Sequence, residues 1–310
     1  MGDDSHTLSA RQMKSFIQKA GVLVEALPYI REFAGKTIVI KYGGAAMEDP
    51  AIRRLTAEDL VLMKFVGMNP VVVHGGGPQI PRMLERLNIP SKFHGGLRIT
   101  DNDTIATVDM VLAGSTNKDI VTLINKAGGN AVGLSGKDAN LLHATKIVGD
   151  DGVDLGNVGK IVSVHFKIIQ VLCANDMIPV IAPIATDTEG RTWNVNADTA
   201  AGEIAAAITA EKLIFLTDQP GLLREVNDES SLIRQLRYTE VEELTKRGVI
   251  AGGMIPKIEA CHKALDYGVR RTHIIDGRVP HALLVEIFTT AGLGTLTPPQ
   301  PGDPGGLAAR

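Results

Sequence analysis

The sequence contains few cysteines and no apolar run long enough to span a membrane. Among its 310 residues there are 2 cysteines, Cys173 and Cys261, and they do not form a C-x-x-C pair. This usage is typical of a reducing compartment and favours buried free thiols over a disulfide. A membrane helix needs roughly 18 consecutive apolar residues, which no segment supplies. Because the acidic start M-G-D-D-S-H also lacks the apolar core of a secretory signal, we expect a cytoplasmic protein that does not enter a membrane.

Neither sign of charge is in excess. The chain carries 32 Lys and Arg residues against 35 Asp and Glu residues, a formal net charge of -3. Such a balance gives no reason to expect a nucleic acid or a membrane surface as a partner. Hydrophobic residues make up 44% of the chain, which is enough for a sizeable core in one or two domains.

Several common site motifs are missing. No G-x-x-x-x-G-K-[ST] occurs, which excludes a P-loop, and no G-x-G-x-x-G follows a predicted strand, which argues against a dinucleotide site. There is no H-E-x-x-H, and the 8 histidines are scattered. We therefore expect no cluster of side chains that binds a metal.

The sequence has two glycine turns that suit an anion. The segments T-I-V-I-K-Y-G-G at 37–44 and V-V-V-H-G-G-G-P at 71–78 each join a short apolar strand to glycines. Free backbone N–H groups after such a strand bind anions, and glycine lets a ligand oxygen come close. Lys41 adds a cation beside the first turn. Plain turns and a lysine that reaches solvent are the alternatives. If the turns bind phosphate, we expect them to face one another across the site.

From residue 37 onward, predicted strands alternate with predicted helices. This order predicts an α/β fold with a mainly parallel sheet, helices on both faces and a site beyond the carboxyl ends of the strands. The predicted strands are 37–41, 71–74, 130–136, 178–184, 212–217 and 272–275, and the predicted helices are 50–66, 78–88, 102–127, 166–175, 198–209, 239–247 and 254–267.

Other segments lie outside that alternation. Residues 8–33 predict an amphipathic helix that Pro28 kinks or ends, and this arm packs either on its own domain or on another subunit. Residues 91–98 predict a hairpin or loop, and residues 141–164 predict β-hairpins against the edge of a larger sheet. Residues 298–310 are rich in Pro and Gly and predict a disordered tail.

Polar side chains lie at the ends of several predicted elements. In N-V-N-A-D at 194–198, alternation along a strand puts both asparagines on one side, as a polar ligand requires, while Asp198 is also a candidate N-cap. Lys257 lies near the start of a helix, where a cation opposes the helix dipole and indicates an anionic partner. Arg98 in a glycine-rich loop is suited to clamp a carboxylate. Each of these two cations is alternatively an ordinary surface residue.

Taken together, these motifs resemble the amino acid kinase family, and within it the arginine-sensitive bacterial members that act on N-acetyl-L-glutamate. The likeness extends over about residues 27–296. The matching motifs are A-L-P-Y-I (26–30), K-Y-G-G (41–44), V-V-V-H-G-G-G-P-Q-I (71–80), G-L-R-I-T (96–100), N-K-D-I-V (117–121), N-V-N-A-D (194–198), E-K-L-I-F-L-T-D (211–218), G-G-M-I-P-K (252–257), H-I-I-D-G-R-V-P (273–280) and E-I-F-T-T-A-G-L-G-T (286–295).

The resemblance implies an open αβα sandwich with a helical arm at 1–35, a lobe for the amino-acid substrate at 36–196, a nucleotide lobe at 197–297 and the tail at 298–310. It implies transfer of the γ-phosphate of ATP, with Mg²⁺ held mostly by phosphates and water, to the side-chain carboxylate of N-acetyl-L-glutamate. That reaction is the second step of arginine biosynthesis.

The resemblance also implies roles for individual residues. Lys41 and Lys257 would hold the transferring phosphoryl group and Asp198 would orient both lysines. The substrate would be bound by Gly76, Gly77, Arg98, Asn194 and Asn196. The phosphates and the nucleotide would contact Gly43, Gly44, Asp218, Gly221, Leu222, Leu223 and Ala251.

Feedback inhibition by L-arginine is a further implication of the resemblance. The effector would lie between the arm and the nucleotide lobe, and the arm would interlace dimers into a hexamer. The matching effector positions are Tyr29, Lys212, His273, Glu286 and Gly292. The alternatives are another acid or carbamate kinase of the same fold and a catalytically silent arginine-binding assembly protein.

Overall fold

The computed structural model describes residues 9–94, 96–149, 151–225 and 228–298. Its strands are β1 (Thr37–Tyr42), β2 (Asn69–His74), β3 (Lys92–His94), β4 (Leu97–Ile99), β5 (Ala131–Ser135), β6 (Leu142–Val148), β7 (Asp154–Val164), β8 (Ile178–Ala182), β9 (Ile184–Thr186), β10 (Thr192–Asn194), β11 (Lys212–Thr217), β12 (Arg271–Asp276) and β13 (Thr295–Thr297). Its α-helices are α1 (Ala10–Phe33), α2 (Pro50–Phe65), α3 (Gln79–Arg86), α4 (Asn102–Asp109), α5 (Asn117–Lys126), α6 (Lys167–Ala174), α7 (Ala197–Ala207), α8 (Val241–Lys246), α9 (Met254–Asp266) and α10 (Ala282–Phe288).

A seven-stranded sheet with the order β13-β12-β11-β1-β2-β8-β5 forms the centre of the molecule. All neighbours pair in parallel except β12 and β13, which are antiparallel at one edge. The predicted mainly parallel sheet is therefore confirmed. Parallel pairing brings the carboxyl ends of β11, β1 and β2 to one edge, where loops are free to build a site.

Helices cover both faces of this sheet, as the buried side chains show. Ile38 and Ile40 of β1 pack into one hydrophobic cluster with residues of α2, α5 and α10. Val39, between them, packs into the opposite cluster with residues of α7 and α9. Each such buried side chain contributes about 1.5–3 kcal/mol. The apolar run at 37–40 thus belongs to a strand that is buried on both sides.

The prediction for 141–164 is correct in part. Strands β6 and β7 pair antiparallel as a hairpin, but this hairpin closes with β9 and β10 into a small barrel and does not lie against the edge of the large sheet. The predicted hairpin at 91–98 is present as antiparallel β3 and β4. It leads into Thr100, whose N–H donates to the carbonyl of Leu155 in β7 at 2.9 Å, so the hairpin is attached to the barrel.

The helix predicted at 8–33 is present as α1, Ala10–Phe33. It starts with a capping box between Ser9 and Gln12 and continues through Pro28, so of the two expectations for this proline, the one that it ends the helix is wrong. Its last turn is fixed by tertiary contacts. Phe33 is 2% exposed, and Tyr29 meets Phe288 of α10 edge to face at 6.4 Å between ring centroids.

Several elements were not anticipated from the sequence. The helical stretch predicted at 102–127 is present, but a π-helical segment, Met110–Thr116, separates α4 from α5. Helix α10 and strand β13 had no counterpart among the predicted elements. The predicted tail beyond residue 298 and the first eight residues of the predicted arm lie outside the described residues. Among the helices of the described ranges, none has the length and apolar character that crossing a membrane requires.

Candidate active site

The two glycine turns follow neighbouring strands of the sheet. Tyr42 and His74, the last residues of β1 and β2, are paired in register. The N–H of Gly75 donates to the carbonyl of Tyr42 at 3.0 Å, so the turns lie side by side at one edge of the sheet. The ideal Cβ position of Gly75 is 3.8 Å from the Cβ of Ala197, which places the start of α7 against the second turn.

Lys41, Lys257 and Asp198 meet at this edge. The Nζ of Lys41 lies 2.9 Å from one carboxylate oxygen of Asp198, and the Nζ of Lys257 lies 2.9 Å from the other. The two ammonium groups come from β1 and α9, which are far apart in the sequence. Because they share one carboxylate, both are within reach of a common anionic ligand.

Asp198 is placed by a helix cap that the sequence analysis assigned wrongly. The N-cap of α7 is Asn196, whose side-chain oxygen accepts the N–H groups of Asp198 and Thr199 at 2.8 and 3.1 Å. Asp198 is therefore not the cap, and its carboxylate is free for the lysines. Asn196 lies after β10 rather than on it, so the two asparagines do not share one side of a strand.

The electrostatics of this cluster depend on burial. Asp198 is 6% exposed and Lys41 is 9% exposed. Burial alone raises the pKa of the Asp198 carboxyl, but the nearby charges of Lys41 and Lys257 more than offset this and hold its pKa below the usual range. The carboxylate therefore stays ionised between its two cations at neutral pH.

Three positions in the turns are occupied by glycine for different structural reasons. A Cβ at Gly43 would lie 2.5 Å from the Nζ of Lys41, so this glycine gives the lysine its path to Asp198. A Cβ at Gly76 would lie 2.3 Å from Ile80 and 2.8 Å from Leu112, so packing alone requires glycine there. Gly44 has φ +63° and lies beside the backbone of Asp218, where only glycine is free of strain.

His74 and Asn117 support the second turn, and the sequence analysis gave neither a role. His74 is fully buried; its Nδ1 lies 3.0 Å from the carbonyl of Gly75 and its Nε2 lies 3.1 Å from the amide nitrogen of Asn117. Burial lowers the pKa of His74 to about 4, so the ring is neutral, with Nδ1 donating and Nε2 accepting. In the sequence, the position of His74 directly before the three glycines was the signal that could have pointed to this supporting role.

The predicted substrate residues Arg98 and Asn194 are joined through Thr100. The amide of Asn194 donates to the Thr100 hydroxyl at 3.3 Å, and that hydroxyl donates to the carbonyl of Arg98 at 2.7 Å. The guanidinium of Arg98 lies over the ring of Phe93, 4.5 Å from its centroid, and donates to the hydroxyl of Ser91. The hairpin thus holds Arg98, and neither Thr100 nor Phe93 was singled out from the sequence.

The predicted nucleotide residues occupy different environments. Asp218 is exposed after β11, next to Gly44, and Ala251 is exposed in the turn before α9. Leu223 is half-buried. Leu222 is 2% exposed and its side chain packs into the core, so that side chain does not line a nucleotide site. Gly221 lies against Thr295 of β13, since a Cβ there would be 2.6 Å from the threonine hydroxyl.

Comparison with known proteins identifies the family. A family model described as the amino acid kinase family matches residues 36–276. The chain belongs to the amino acid kinase family. A protein named acetylglutamate kinase from Thermoanaerobacter pseudethanolicus is 57% identical to it over 280 residues, which cover 90% of this chain and 93% of that relative.

Solved structures of a different enzyme share the fold. N-acetylglutamate synthase from Neisseria gonorrhoeae, solved with coenzyme A and N-acetyl-glutamate, superposes with a TM-score of 0.80 at 26% identity. The same synthase solved with coenzyme A and L-arginine gives a TM-score of 0.76 at 25% identity. The match covers 91% of this chain in both cases but 64% and 65% of the synthase chain, so the synthase has a further part that this chain does not match.

A cavity beside the end of α1, which we call the α1 cavity, is lined by all the residues predicted for an effector. It has a volume of about 560 Å³ and lies between the end of α1, strands β11 and β12, and α10. Its lining includes Tyr29, Lys212, His273, Glu286 and Gly292. Residues distant in the sequence therefore converge in one cavity.

One buried pair, His273 and Glu286, lies in this cavity. The Nδ1 of His273 lies 2.6 Å from one oxygen of Glu286, and the N–H of Leu293 donates to the other at 2.7 Å. Burial raises the pKa of Glu286, but the hydrogen bonds that it accepts from His273 and Leu293 and the charge of Lys212 outweigh burial and lower this pKa. Burial also lowers the pKa of His273, so its ring donates as a neutral imidazole. Lys212 is 4% exposed, and burial, with the charge of Arg271, lowers its pKa to about 8.

We expect Asp198→Ala to destabilise the protein strongly, because it leaves the buried ammonium group of Lys41 and the half-buried one of Lys257 without their carboxylate. Breaking a buried charge pair in this way costs about 3–5 kcal/mol, measurable by urea unfolding. Glu203→Ala is the matched control. It removes the ion pair between Glu203 and Lys263, which joins the same two helices, α7 and α9. Because 42% of the Lys263 side chain is exposed, the loss of this pair should cost at most about 1 kcal/mol. Equal losses for the two variants would contradict this account of the cluster.

Proposed function

We propose that this amino acid kinase is an acetylglutamate kinase. It would transfer the γ-phosphate of ATP to the side-chain carboxylate of N-acetyl-L-glutamate, the second step of arginine biosynthesis, in the cytoplasm. The observation that carries the proposal is the placement of two ammonium groups, Lys41 and Lys257, on one carboxylate beside both glycine turns. The identity of 57% to a relative of that name supports the choice of substrate.

The proposed mechanism is direct in-line transfer. The acceptor carboxylate attacks the γ-phosphorus, its oxygen–phosphorus bond forms as the bond to ADP breaks, and N-acetyl-L-glutamyl 5-phosphate and ADP result. No covalent enzyme intermediate is needed, so catalysis consists of positioning and neutralisation of charge. Lys41 and Lys257 would leave Asp198 in part to contact the phosphoryl oxygens, and Asp198 would keep both oriented. The N–H groups of Gly44 and Gly76 would donate to the group in transfer.

The proposed substrate contacts follow from the barrel and its hairpin. Arg98, held by Phe93 and Ser91, would bind the α-carboxylate of the substrate. Asn194, joined to Arg98 through Thr100, would bind another polar group, and Gly76 and Gly77 would contact the substrate with their backbone. Asn196 would contribute through the cap that positions α7, since its side-chain oxygen already accepts two N–H groups.

ATP would bind over the loops of the C-terminal lobe. Asp218, Gly221, Leu223 and Ala251 would contact the nucleotide, and Gly43 and Gly44 its phosphates. Both oxygens of Asp198 already face ammonium groups, so this carboxylate is not a free metal ligand. Mg²⁺ would therefore be held mainly by phosphates and water, and it would neutralise phosphate charge. The division into a substrate lobe at 36–196 and a nucleotide lobe at 197–297 belongs to this proposal.

The assay that tests the proposal follows ADP release with N-acetyl-L-glutamate, L-glutamate and L-aspartate as acceptors. We expect turnover with the acetylated substrate only. In Lys41→Ala and Lys257→Ala, kcat should fall by about 100-fold or more, because each variant removes charge that is needed where negative charge develops. KM for N-acetyl-L-glutamate should change much less.

Lys263→Ala is the matched control, since Lys263 lies on the same helix as Lys257 and makes a surface bridge to Glu203. It should keep the kcat of the wild type. Preference for another acid or for carbamate would favour the nearest alternative, a different kinase of this fold. Release of no ADP with any acceptor, together with tight arginine binding, would favour a catalytically silent assembly protein.

We further propose that L-arginine inhibits the enzyme by binding in the α1 cavity. Glu286 is a bidentate partner for a guanidinium, and Lys212 would hold the α-carboxylate at the other end. The related synthase has been solved with L-arginine, which supports an arginine site in this branch of the fold. The effector would have to replace His273 at Glu286, where the two side chains are 2.6 Å apart.

Inhibition by arginine should weaken as the pH rises through about 8, the pKa of Lys212. Below this pH the ammonium is present in the free protein; above it, arginine binding must first restore the proton, which costs affinity. The groups that set this pKa besides burial are Arg271, Glu286, Glu32 and Glu211. Dose curves at pH 7 and pH 9 measure the effect. Lys212→Gln, which is never charged, should be inhibited weakly at both, and a flat dose curve of the wild type at pH 7 would exclude the effector site.

The arm is proposed to join dimers into a hexamer. Its apolar side chains are exposed in the single chain: Met13 45%, Phe16 47%, Ile17 64%, Leu23 73%, Val24 68% and Leu27 50%. Burying such a face against a second copy removes apolar area from water. Light scattering should give the mass of a hexamer for the wild type and of a dimer for Ile17→Glu, while Tyr267→Glu, at another exposed apolar residue, keeps the hexamer. The same mass for all three would refute the role of the arm.

A further inference from the structure

The turn Gly44–Met47 carries the backbone N–H of Gly44 but lies outside the regular sheet. Strand β1 ends at Tyr42, and the turn that follows is a 3₁₀ segment of four residues. So short a segment does not fix its own position, because few of its hydrogen bonds are internal. Other parts of the fold must therefore hold it in place.

One of these contacts comes from Tyr42. Its hydroxyl donates to the carbonyl of Ala46 at 2.8 Å in a buried position. Burial raises the pKa of this hydroxyl, so it keeps its proton and remains a donor. The bond ties the middle of the turn to the last residue of β1, which follows Lys41 directly.

The other contact comes from Gly277 at the end of β12. A Cβ there would lie 2.8 Å from the Cβ of Ala46, closer than real side-chain contacts. Gly277 cannot move away from Ala46, because the same Cβ would lie 3.1 Å from the Cβ of Leu216. The backbone of Gly277 is also fixed, since its N–H donates to the carbonyl of Thr217 at 2.8 Å. Its φ is outside the left-handed region. Space, and not conformation, thus requires glycine at this position.

We propose that Gly277 and Tyr42 are positioning residues for phosphoryl transfer, which together set where the turn Gly44–Met47 presents the N–H of Gly44. Gly277 positions the turn by leaving room for Ala46 to contact the end of β12. Tyr42 positions it by donating a hydrogen bond to the carbonyl of Ala46. This inference rests on the proposed function, since it assumes that Gly44 donates to the group in transfer.

The test variant is Gly277→Ala, which pushes Ala46 and the turn away from β12. A small displacement of a positioned donor lowers the rate of chemistry more than binding. We expect kcat to fall by about tenfold or more, while KM for N-acetyl-L-glutamate stays within about twofold, since the substrate contacts lie on the barrel side.

Gly129→Ala is the matched control. Its Cβ would lie 2.8 Å from both Ile124 and Val61, the same closeness as at Gly277 but just after α5 and away from the turn. It should lower the melting temperature while kcat per folded enzyme stays within about twofold of the wild type. The double variant Ala46→Gly with Gly277→Ala removes the clashing methyl from the turn and should recover most of the lost kcat.

The outcomes separate the inference from the proposed function. If the wild type phosphorylates N-acetyl-L-glutamate but Gly277→Ala keeps its kcat, or loses no more than Gly129→Ala, or is not rescued by Ala46→Gly, the inference is overturned and the function stands. If the wild type has no kinase activity, the proposed function itself fails. Should Gly277→Ala not fold, Tyr42→Phe decides instead: a lower kcat with unchanged KM supports the inference, and the kcat of the wild type overturns it.

Discussion

The structure depends most on one buried carboxylate that lies between two ammonium groups. Asp198 is 6% exposed, with a lysine 2.9 Å from each of its oxygens. The buried charges of Asp198 and Lys41 would not be stable at this depth without a partner, because an unpaired buried ion has a large desolvation cost. The cluster therefore fixes β1, α7 and α9 relative to one another. It also keeps two cations close together without repulsion until an anion arrives.

The parallel sheet makes this arrangement possible. Strand β1 lies between β11 and β2, so loops from the early and the late part of the chain meet at its carboxyl end. The glycine turns after β1 and β2 are neighbours for the same reason. Glycine serves several purposes here. At Gly43 it gives the lysine a path, at Gly76 it allows Ile80 and Leu112 to pack, and at Gly277 it lets β12 touch the first turn.

The sequence predicted the parts of the fold that follow from local pattern. Local pattern predicted the apolar strand at 37–40, the glycines after it and the helices on either side, because strand and helix periodicities differ and glycine marks turns. It also predicted a hairpin or loop at 91–98, where the structure has a hairpin. Local pattern was not sufficient where contacts between distant residues decide the structure. It left open whether Pro28 kinks or ends the arm helix, and α1 continues through this proline because Phe33 and Tyr29 are held by tertiary packing. Asn196, rather than Asp198, is the cap of α7, and a shift of two residues lies within the accuracy of element boundaries.

By itself, the sequence determined the class of the fold, the order of its motifs and the kinds of chemical group that they carry, since these depend on residue type and spacing. Only the tertiary structure decided which groups meet. The pairing of Lys41 and Lys257 on Asp198, the link from Asn194 through Thr100 to Arg98, and the contact of Gly277 with Ala46 each join segments that are remote in the chain. The physical reason is that distances across a sheet are set by strand order and packing, and a linear pattern contains neither.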